Sequence, residues 1–149
     1  MLAATWLSFW WRRRSASTGL RIEWDPYHVL ALDGTTIEVK TSAYLQAWDQ
    51  YKLSTIQFTG LRSRIWSTEG GLTPTPTYNA DVYVFAIQTA RTHEEYNPLL
   101  ASQWRFYVLP RQTVEDLGQD SIGLATLERL AGPSIAYEEL SEAINAAAR

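Results

Sequence analysis

Residues 27–40 read YHVLALDGTTIEVK, a composition that is typical of a β-hairpin. Two apolar runs, YHVLAL and TTIEVK, are separated by Asp33-Gly34, which is a turn signal. The loop Leu32-Asp33-Gly34 fits a type I turn followed by Gly34 in the left-handed region. We therefore predict two antiparallel strands joined by a three-residue loop.

This loop fixes which residues of the hairpin share a face. It places Val29 opposite Ile37 and His28 opposite Glu38, and directly opposed residues lie on one face. The apolar face then contains Val29, Ala31, Ile37 and Val39. We predict that the polar face contains His28, Glu38 and Lys40.

The rest of the chain predicts one α/β domain, residues 1–149, with a mixed central sheet flanked by helices. The nearly continuous apolar run at 80–87 predicts a central strand. Further strands are predicted at 54–58 and 103–109, loops at 67–79 and 91–98, and helices at 1–20, 43–51 (with Ser42 as its cap), 111–117, 121–131 and 136–148.

Composition narrows the class of protein. The chain has 149 residues, 46% of them hydrophobic, which suits one domain with a sizeable core. It has no cysteine, so disulfides and thiolate metal sites are excluded, and we expect a cytoplasmic protein. The net charge is −3, so binding of nucleic acid would need a local basic patch. The sequence predicts no oligomeric state.

The amino terminus has an apolar run at residues 2–11 followed by three arginines. A secretory signal carries its positive charge before the apolar run, and a membrane-spanning helix needs about 20 apolar residues. We predict a first helix that packs on the domain, without stable membrane association. An interfacial membrane anchor is the alternative.

Glu38 and Lys40 interrupt a strand that otherwise looks buried. A solvent-facing strand that happens to carry two charges is the common explanation. Here the opposite face is apolar, and the strand leads into a predicted helix, where α/β proteins often form sites. A carboxylate suits Mg²⁺, and a neighbouring lysine can orient a water or stabilise charge on a phosphate.

The sequence Glu38-Val39-Lys40, on the second strand of a hairpin and ahead of Gln46, resembles the PD-(D/E)XK, or restriction-endonuclease-like, nuclease superfamily. The stretches WDPYHVLALDGTTIEVKTSAYLQAWDQ, YNADVYVFAIQT and QWRFYVLPR are similar to a group of uncharacterised bacterial proteins within it. The resemblance covers roughly residues 22–144. The triplet alone is a weak signal, and its place on a hairpin strand before two apolar strands makes it more specific.

The resemblance implies a restriction-endonuclease-like core and Mg²⁺-dependent hydrolysis of phosphodiester bonds, with DNA favoured over RNA as the partner. Glu38 would bind the metal, and Lys40 would position the attacking water or stabilise charge. Gln46 matches a glutamine that some branches place near the site. A polar residue on a solvated helix face is the alternative for Gln46.

The chain departs from the superfamily pattern at the second metal ligand. The superfamily has an acid opposite the Glu, and this chain has His28 there. Asp25 could reach the site only if the chain bends, and Asp33 at the hairpin tip is too far away. The candidate metal ligands are therefore Glu38, Asp25 and His28. Because Mg²⁺ prefers oxygen, His28 would favour Mn²⁺ or Zn²⁺. A half-buried histidine bonded to Glu38 is the structural alternative.

A second departure concerns the first helix, where related proteins often carry a Glu that faces the site. Residues 1–22 contain no acid, so we expect an amino terminus shortened or altered relative to related proteins. The leading hypothesis is a metal-dependent nuclease that is impaired by these substitutions. The alternative is a catalytically inactive binding or assembly module that retains the fold.

A substrate surface is suggested by TGLRSRIW. Arg62 and Arg64 could contact phosphates, and Trp66 could stack on a base. A solvated loop with a buried Trp66 is the more common arrangement for such a segment. His93, in the polar connection, is assigned no role.

Overall fold

The computed structural model describes residues 29–149. The predicted helix 1–20, Asp25 and His28 lie outside the described residues, and their assignments stay predictions. The strands are β1 Val29–Leu30, β2 Thr36–Ala43, β3 Gln57–Phe58, β4 Trp66–Ser67, β5 Gly71–Leu72, β6 Val82–Gln88, β7 Trp104–Pro110 and β8 Ile122–Gly123. The helices are α1 Arg111–Leu117, α2 Leu124–Ala131 and α3 Leu140–Ala147, with 3₁₀ turns at Ala101–Gln103 and Tyr137–Glu139.

The fold is mixed α/β, as predicted, and its centre is a four-stranded sheet in the order β1-β2-β6-β7. β2 and β6 are parallel, whereas the β1–β2 and β6–β7 pairs are antiparallel. Every residue of β6 is buried, which confirms it as a central strand. Two small ribbons, β3–β8 and β4–β5, lie outside this sheet. Among residues 29–149, no helix is long and apolar enough to cross a membrane.

The hairpin register is confirmed in the described part. Val29 pairs with Ile37, and the Ala31 amide donates to the Thr35 carbonyl at 2.9 Å. Gly34 has φ 88°, the left-handed conformation that the three-residue loop requires. The side chains of Val29 and Ile37 are buried together on the predicted apolar face. The pairing of position 28 lies outside the described residues.

Each face of the sheet is covered by a separate hydrophobic cluster. On one face Leu140 and Ile144 of α3 pack against Ile37 and Val84. On the other face Leu127 of α2 belongs to a cluster that also includes Phe58, Tyr83, Phe85, Leu109, Val114 and Ile122. The sheet is therefore an inner layer, and charged residues on β2 border a core instead of lying on an open face.

The predicted helix 43–51 is wrong. β2 continues to Ala43, and Ser42 pairs with Ile87 of β6, so it is not a helix cap. Residues 44–54 form a loop closed by Gln50, whose amide accepts from Gln46 N and donates to Tyr44 O and to Ser54 Oγ. The parallel ladder keeps the backbone extended as far as Ala43. Beyond it, the Gln50 side chain bonds the Gln46 amide and the Tyr44 carbonyl, which in a helix would bond to the backbone.

Other predicted elements differ in length. The strand predicted at 54–58 is observed only as Gln57–Phe58. The predicted loop 67–79 contains Ser67 of β4, all of β5 and an isolated bridge at Thr77, and 91–98 is a connection as predicted. The three carboxyl-terminal helices are confirmed. α2 begins at Leu124 because the preceding Ile122–Gly123 pairs with β3.

Candidate active site

β2 places Glu38 and Lys40 side by side on one face of the sheet. Lys40 Nζ lies 2.9 Å from Glu38 Oε1, and the two side chains are 20% and 17% exposed, respectively. Their shared face follows from the two-residue period of a strand, as predicted. The pair is therefore mostly shielded from water and keeps a small exposed surface.

Tyr83 forms part of the floor beside this pair. The parallel register places Tyr83 next to Glu38 and Phe85 next to Lys40. The Tyr83 hydroxyl lies 3.4 Å from the Leu61 carbonyl. Burial raises the pKa of Tyr83, and the Glu38 carboxylate contributes to the increase. Tyr83 is a site neighbour that the sequence did not reveal, because the pairing of two distant parallel strands leaves no local signal.

Gly60 forms a wall close to the Lys40 ammonium. Its φ is 67°, in the left-handed region, and a Cβ built there would lie 3.6 Å from Lys40 Nζ. That separation is an ordinary van der Waals contact, so a methyl group would displace water from the ammonium without a severe clash. Glycine adopts this left-handed conformation without strain, and because it has no side chain it leaves the Lys40 ammonium accessible.

Gln46 lies at the far end of β2, in the loop that replaces the predicted helix. Its side chain donates to the Ala43 carbonyl at 3.1 Å, and its backbone amide donates to Gln50. Gln46 lines a cleft together with Thr41, Ser42 and His93. The prediction of Gln46 on a helix face is wrong, and its observed partners belong to the strand end and not to the Glu38–Lys40 pair.

The two predicted phosphate contacts are on the surface. Arg62 Nε lies 3.8 Å from Asp120 Oδ1, and the Arg62 amide donates to the same oxygen at 3.0 Å. Arg64 is exposed. Trp66 is 48% exposed, so the prediction that it is buried is wrong. It lies opposite Leu72 in the narrow β4–β5 ribbon, and Leu72 is itself 52% exposed.

Of the three predicted metal ligands, only Glu38 lies within the described residues 29–149. Within residues 29–149, no group of three or more acidic or histidine side chains could enclose a metal ion. Asp33 accepts a hydrogen bond from the Thr35 amide at 2.9 Å, and this bond lowers the pKa of Asp33. It is therefore held in the hairpin turn, as predicted. The Glu38 carboxylate suits Mg²⁺ as one oxygen ligand, whereas the adjacent Lys40 ammonium opposes a cation.

Comparisons of the chain with protein-family models, with curated proteins and with solved structures found no match. The resemblance of the Glu38-Val39-Lys40 strand to a nuclease superfamily therefore stays a hypothesis. Its support comes from the residues of this chain and from their geometry.

Proposed function

We propose that the protein is a PD-(D/E)XK-type metal-dependent nuclease of impaired activity, which hydrolyses phosphodiester bonds, with DNA favoured over RNA. The observation that carries the proposal is the Glu38–Lys40 pair, about four-fifths shielded from water, on a strand that has a parallel neighbour. A carboxylate and an ammonium held two residues apart by one strand form a preorganised unit for metal binding and charge neutralisation.

The sheet supports this proposal in part. A hairpin whose second strand carries the pair, followed by a parallel strand and a further strand, is consistent with a restriction-endonuclease-like core. That core also has a helix between the hairpin and the next strand. In this chain residues 44–81 contain loops and the short strands β3, β4 and β5 instead. The proposal therefore rests more on β2 and its neighbours than on the complete architecture.

Each member of the pair would have its own role. The Glu38 carboxylate would hold Mg²⁺ or Mn²⁺, which when bound acidifies a coordinated water and polarises the phosphate. The Lys40 ammonium would orient the attacking water or neutralise charge on the pentacoordinate phosphorus. Water adds to phosphorus, the bond from phosphorus to the leaving sugar oxygen breaks, and that oxygen takes up a proton.

His28 and Asp25 are the proposed additional ligands. The hairpin register predicts His28 opposite Glu38, where it would supply nitrogen although Mg²⁺ prefers oxygen, so occupancy by Mg²⁺ should be low. Nuclease activity in Mg²⁺ should therefore be low or undetectable. At that position the substitution His28→Asp would add a hard oxygen ligand and should partly restore cleavage.

A second candidate function, a binding or assembly module without catalysis, is favoured by the ion pair itself. At 2.9 Å the Lys40 ammonium already neutralises the carboxylate that would have to bind a metal. Such a contact is also what a purely structural ion pair would show. The two functions are distinguished by whether the Glu38–Lys40 pair, in the wild type or in His28→Asp, supports hydrolysis of a phosphodiester bond.

The test is cleavage of single- and double-stranded DNA and RNA, in Mg²⁺ and in Mn²⁺, by wild-type protein and by His28→Asp. Lys40→Ala and the double variant His28→Asp/Lys40→Ala are purified in the same way, and any cleavage that they show measures contaminating nuclease. We expect cleavage by His28→Asp that disappears in the double variant. Robust wild-type cleavage in Mg²⁺ that is lost in Lys40→Ala would show a site complete without an acid at position 28. If neither the wild type nor His28→Asp cuts any substrate, the binding module is the better explanation.

A further inference from the structure

A cleft of about 440 Å³ lies where the parallel strands β2 and β6 end. Ala43 and Gln88, the last residues of the two strands, are paired, so the loops that follow both strands leave the sheet at the same edge. The loop after β2 contributes Leu45 and Gln46, and the loop after β6 contributes His93 and Tyr96. Carboxyl ends of parallel strands are common ligand sites, and this volume suits a small organic ligand.

The floor of the cleft is rigid. The Gln88 side chain is 3% exposed, and its amide donates to Gln103 Oε1 and accepts from the Ala90 amide, both at 2.7 Å. Gln103 in turn donates to the Glu95 carbonyl and accepts from the Asn97 amide. These bonds fix the loop that carries His93 and Tyr96. The walls are thus held in place before any ligand binds.

The chemistry of the described lining selects for a neutral, planar ligand. None of its ten described residues is Asp, Glu, Lys or Arg, so the His93 imidazole is its one group suited to a metal ion, and no Lys or Arg is present to bind an isolated phosphate. It has aromatic rings at His93, Tyr96 and Trp104, and hydrogen-bonding groups at Thr41 and Gln46. Among residues 29–149, no hydrogen bond or ion pair involves the side chains of His93 or Tyr96.

We propose that this cleft binds a nucleobase. A base has apolar faces that stack on aromatic rings and an edge that an amide can recognise by paired hydrogen bonds. Tyr96, which is 45% exposed, is placed to stack, and the Gln46 amide and the Thr41 hydroxyl are placed to meet the edge. The Gln46 amide keeps its carbonyl oxygen for this purpose, since its side-chain hydrogen bond to the Ala43 carbonyl uses only the nitrogen.

The position of the cleft connects it with the proposed active site, and this link rests on the proposed nuclease function. Ser42 lines the cleft and lies two residues beyond Lys40 on the same face of β2, which is about 7 Å along a strand, whereas Thr41 pairs with Ala86 on the opposite face. The cleft therefore spans the edge where β2 ends, and a base bound there would belong to a nucleotide near the cleaved phosphate. It would set the position of the substrate strand relative to Lys40.

The test measures binding of free nucleosides without metal, so it does not depend on cleavage. Adenosine, guanosine, cytidine and thymidine are titrated into the whole protein and followed by ligand-observed saturation transfer. Ribose 5-phosphate serves as the probe for the sugar and phosphate alone. Tyr96→Ala is compared with Tyr51→Ala, a matched variant on the loop 44–54, because the Tyr51 ring is fully exposed and outside the cleft lining.

We expect at least one nucleoside to bind, with an affinity that falls about fivefold or more in Tyr96→Ala and is unchanged in Tyr51→Ala. Binding of no nucleoside, equal effects of the two tyrosine variants, or competition by ribose 5-phosphate overturns the proposal. Nucleoside binding together with no cleavage of any nucleic acid by either the wild type or His28→Asp would refute the proposed function and leave the cleft assignment standing. Cleavage without nucleoside binding would refute the cleft assignment and leave the proposed function standing.

Discussion

Lys40 Nζ and Glu38 Oε1 are 2.9 Å apart on the same face of β2, and each side chain is about four-fifths shielded from water. Residues at positions i and i+2 of a strand lie on the same face, so β2 places both groups on one side of the sheet. Any cation that binds Glu38 must therefore share the carboxylate with an ammonium at contact distance. The Lys40 ammonium that would stabilise charge on the phosphate therefore also weakens the binding of a metal ion to Glu38.

Removing the ammonium should separate these two effects. In Lys40→Met we expect Mn²⁺ to bind several-fold more tightly, because the cation no longer meets a like charge. Cleavage by the His28→Asp protein should nevertheless disappear when Lys40→Met is added. Calorimetry measures the affinity, with Lys52→Met as the control, since Lys52 is exposed on the loop 44–54. Unchanged or weaker Mn²⁺ binding in Lys40→Met would argue against metal at Glu38.

The choice of metal should depend on position 28. We expect the wild type to bind Mg²⁺ only in the millimolar range or worse and Mn²⁺ more tightly if His28 participates, because imidazole suits Mn²⁺ better. His28→Asp should tighten Mg²⁺ binding and reduce the preference for Mn²⁺. Isothermal titration of both metals into both proteins checks this. Micromolar Mg²⁺ binding by the wild type would contradict it and would point to Asp25 as a completing ligand.

Gly60 offers a test of whether the Lys40 ammonium must stay accessible. Gly60→Ala puts a methyl group at van der Waals distance from Lys40 Nζ and also strains a left-handed residue. Gly34→Ala also strains a residue with positive φ, 88°, but nothing lies within 4 Å of the added Cβ. Both variants should lose about 1–2 kcal/mol of stability.

Only Gly60→Ala should impair the site, because only its methyl group shields the ammonium. Relative to Gly34→Ala, we expect a further loss of Mn²⁺-dependent cleavage in the His28→Asp background. Thermal denaturation gives the stability of each variant, and cleavage is compared at a temperature where both are folded. Equal activities for the two variants would mean that the space above Lys40 has no role.

The sequence predicted the parts of the molecule that depend on local patterns. The hairpin register followed from the Leu32-Asp33-Gly34 loop, and the central strand predicted at 80–87 from its apolar composition is observed at Val82–Gln88. The helix at 43–51 was predicted wrongly, because its apolar residues have helical spacing while the parallel ladder to β6 keeps β2 extended to Ala43. Tyr83 and Gly60 could not be predicted, because they reach Glu38 and Lys40 only through long-range packing.

Asp81 joins the hairpin to the start of the central strand β6, and its removal should lower stability in a pH-dependent way. Its carboxylate accepts from the amide and hydroxyl of Thr36 at 2.9 Å and from the Arg111 guanidinium at 2.7 Å. The hydrogen bond from the Thr36 amide is the main cause that lowers the pKa of Asp81. Asp81→Ala should cost about 1–2 kcal/mol at neutral pH, a modest value because water partly screens the carboxylate.

The pH dependence follows from the sign of the pKa change. A carboxyl group whose folded-state pKa lies below its unfolded value stabilises the fold above the unfolded pKa and loses this contribution as pH falls through the folded pKa. The difference in unfolding free energy between wild type and Asp81→Ala should therefore be constant at neutral pH and shrink in acid. Urea denaturation across pH measures it, with the exposed Asp49→Ala as control. A difference that grows in acid would contradict the assigned role.

The last prediction concerns the surface at Arg62 and Arg64. A cation that contacts a phosphate releases counterions, so removing one such contact lowers the dependence of log affinity on log salt by about 0.7–0.9. Arg64 is exposed, whereas Arg62 already faces Asp120 at 3.8 Å, which offsets its charge. We expect Arg64→Gln to weaken oligonucleotide binding and lower the salt slope, and Arg62→Gln to have a smaller effect. Fluorescence anisotropy over a salt series measures both, with Arg129→Gln on α2 as the control. If the slope of log affinity against log salt is identical for all three variants, Arg62 and Arg64 do not contact the phosphates of the substrate.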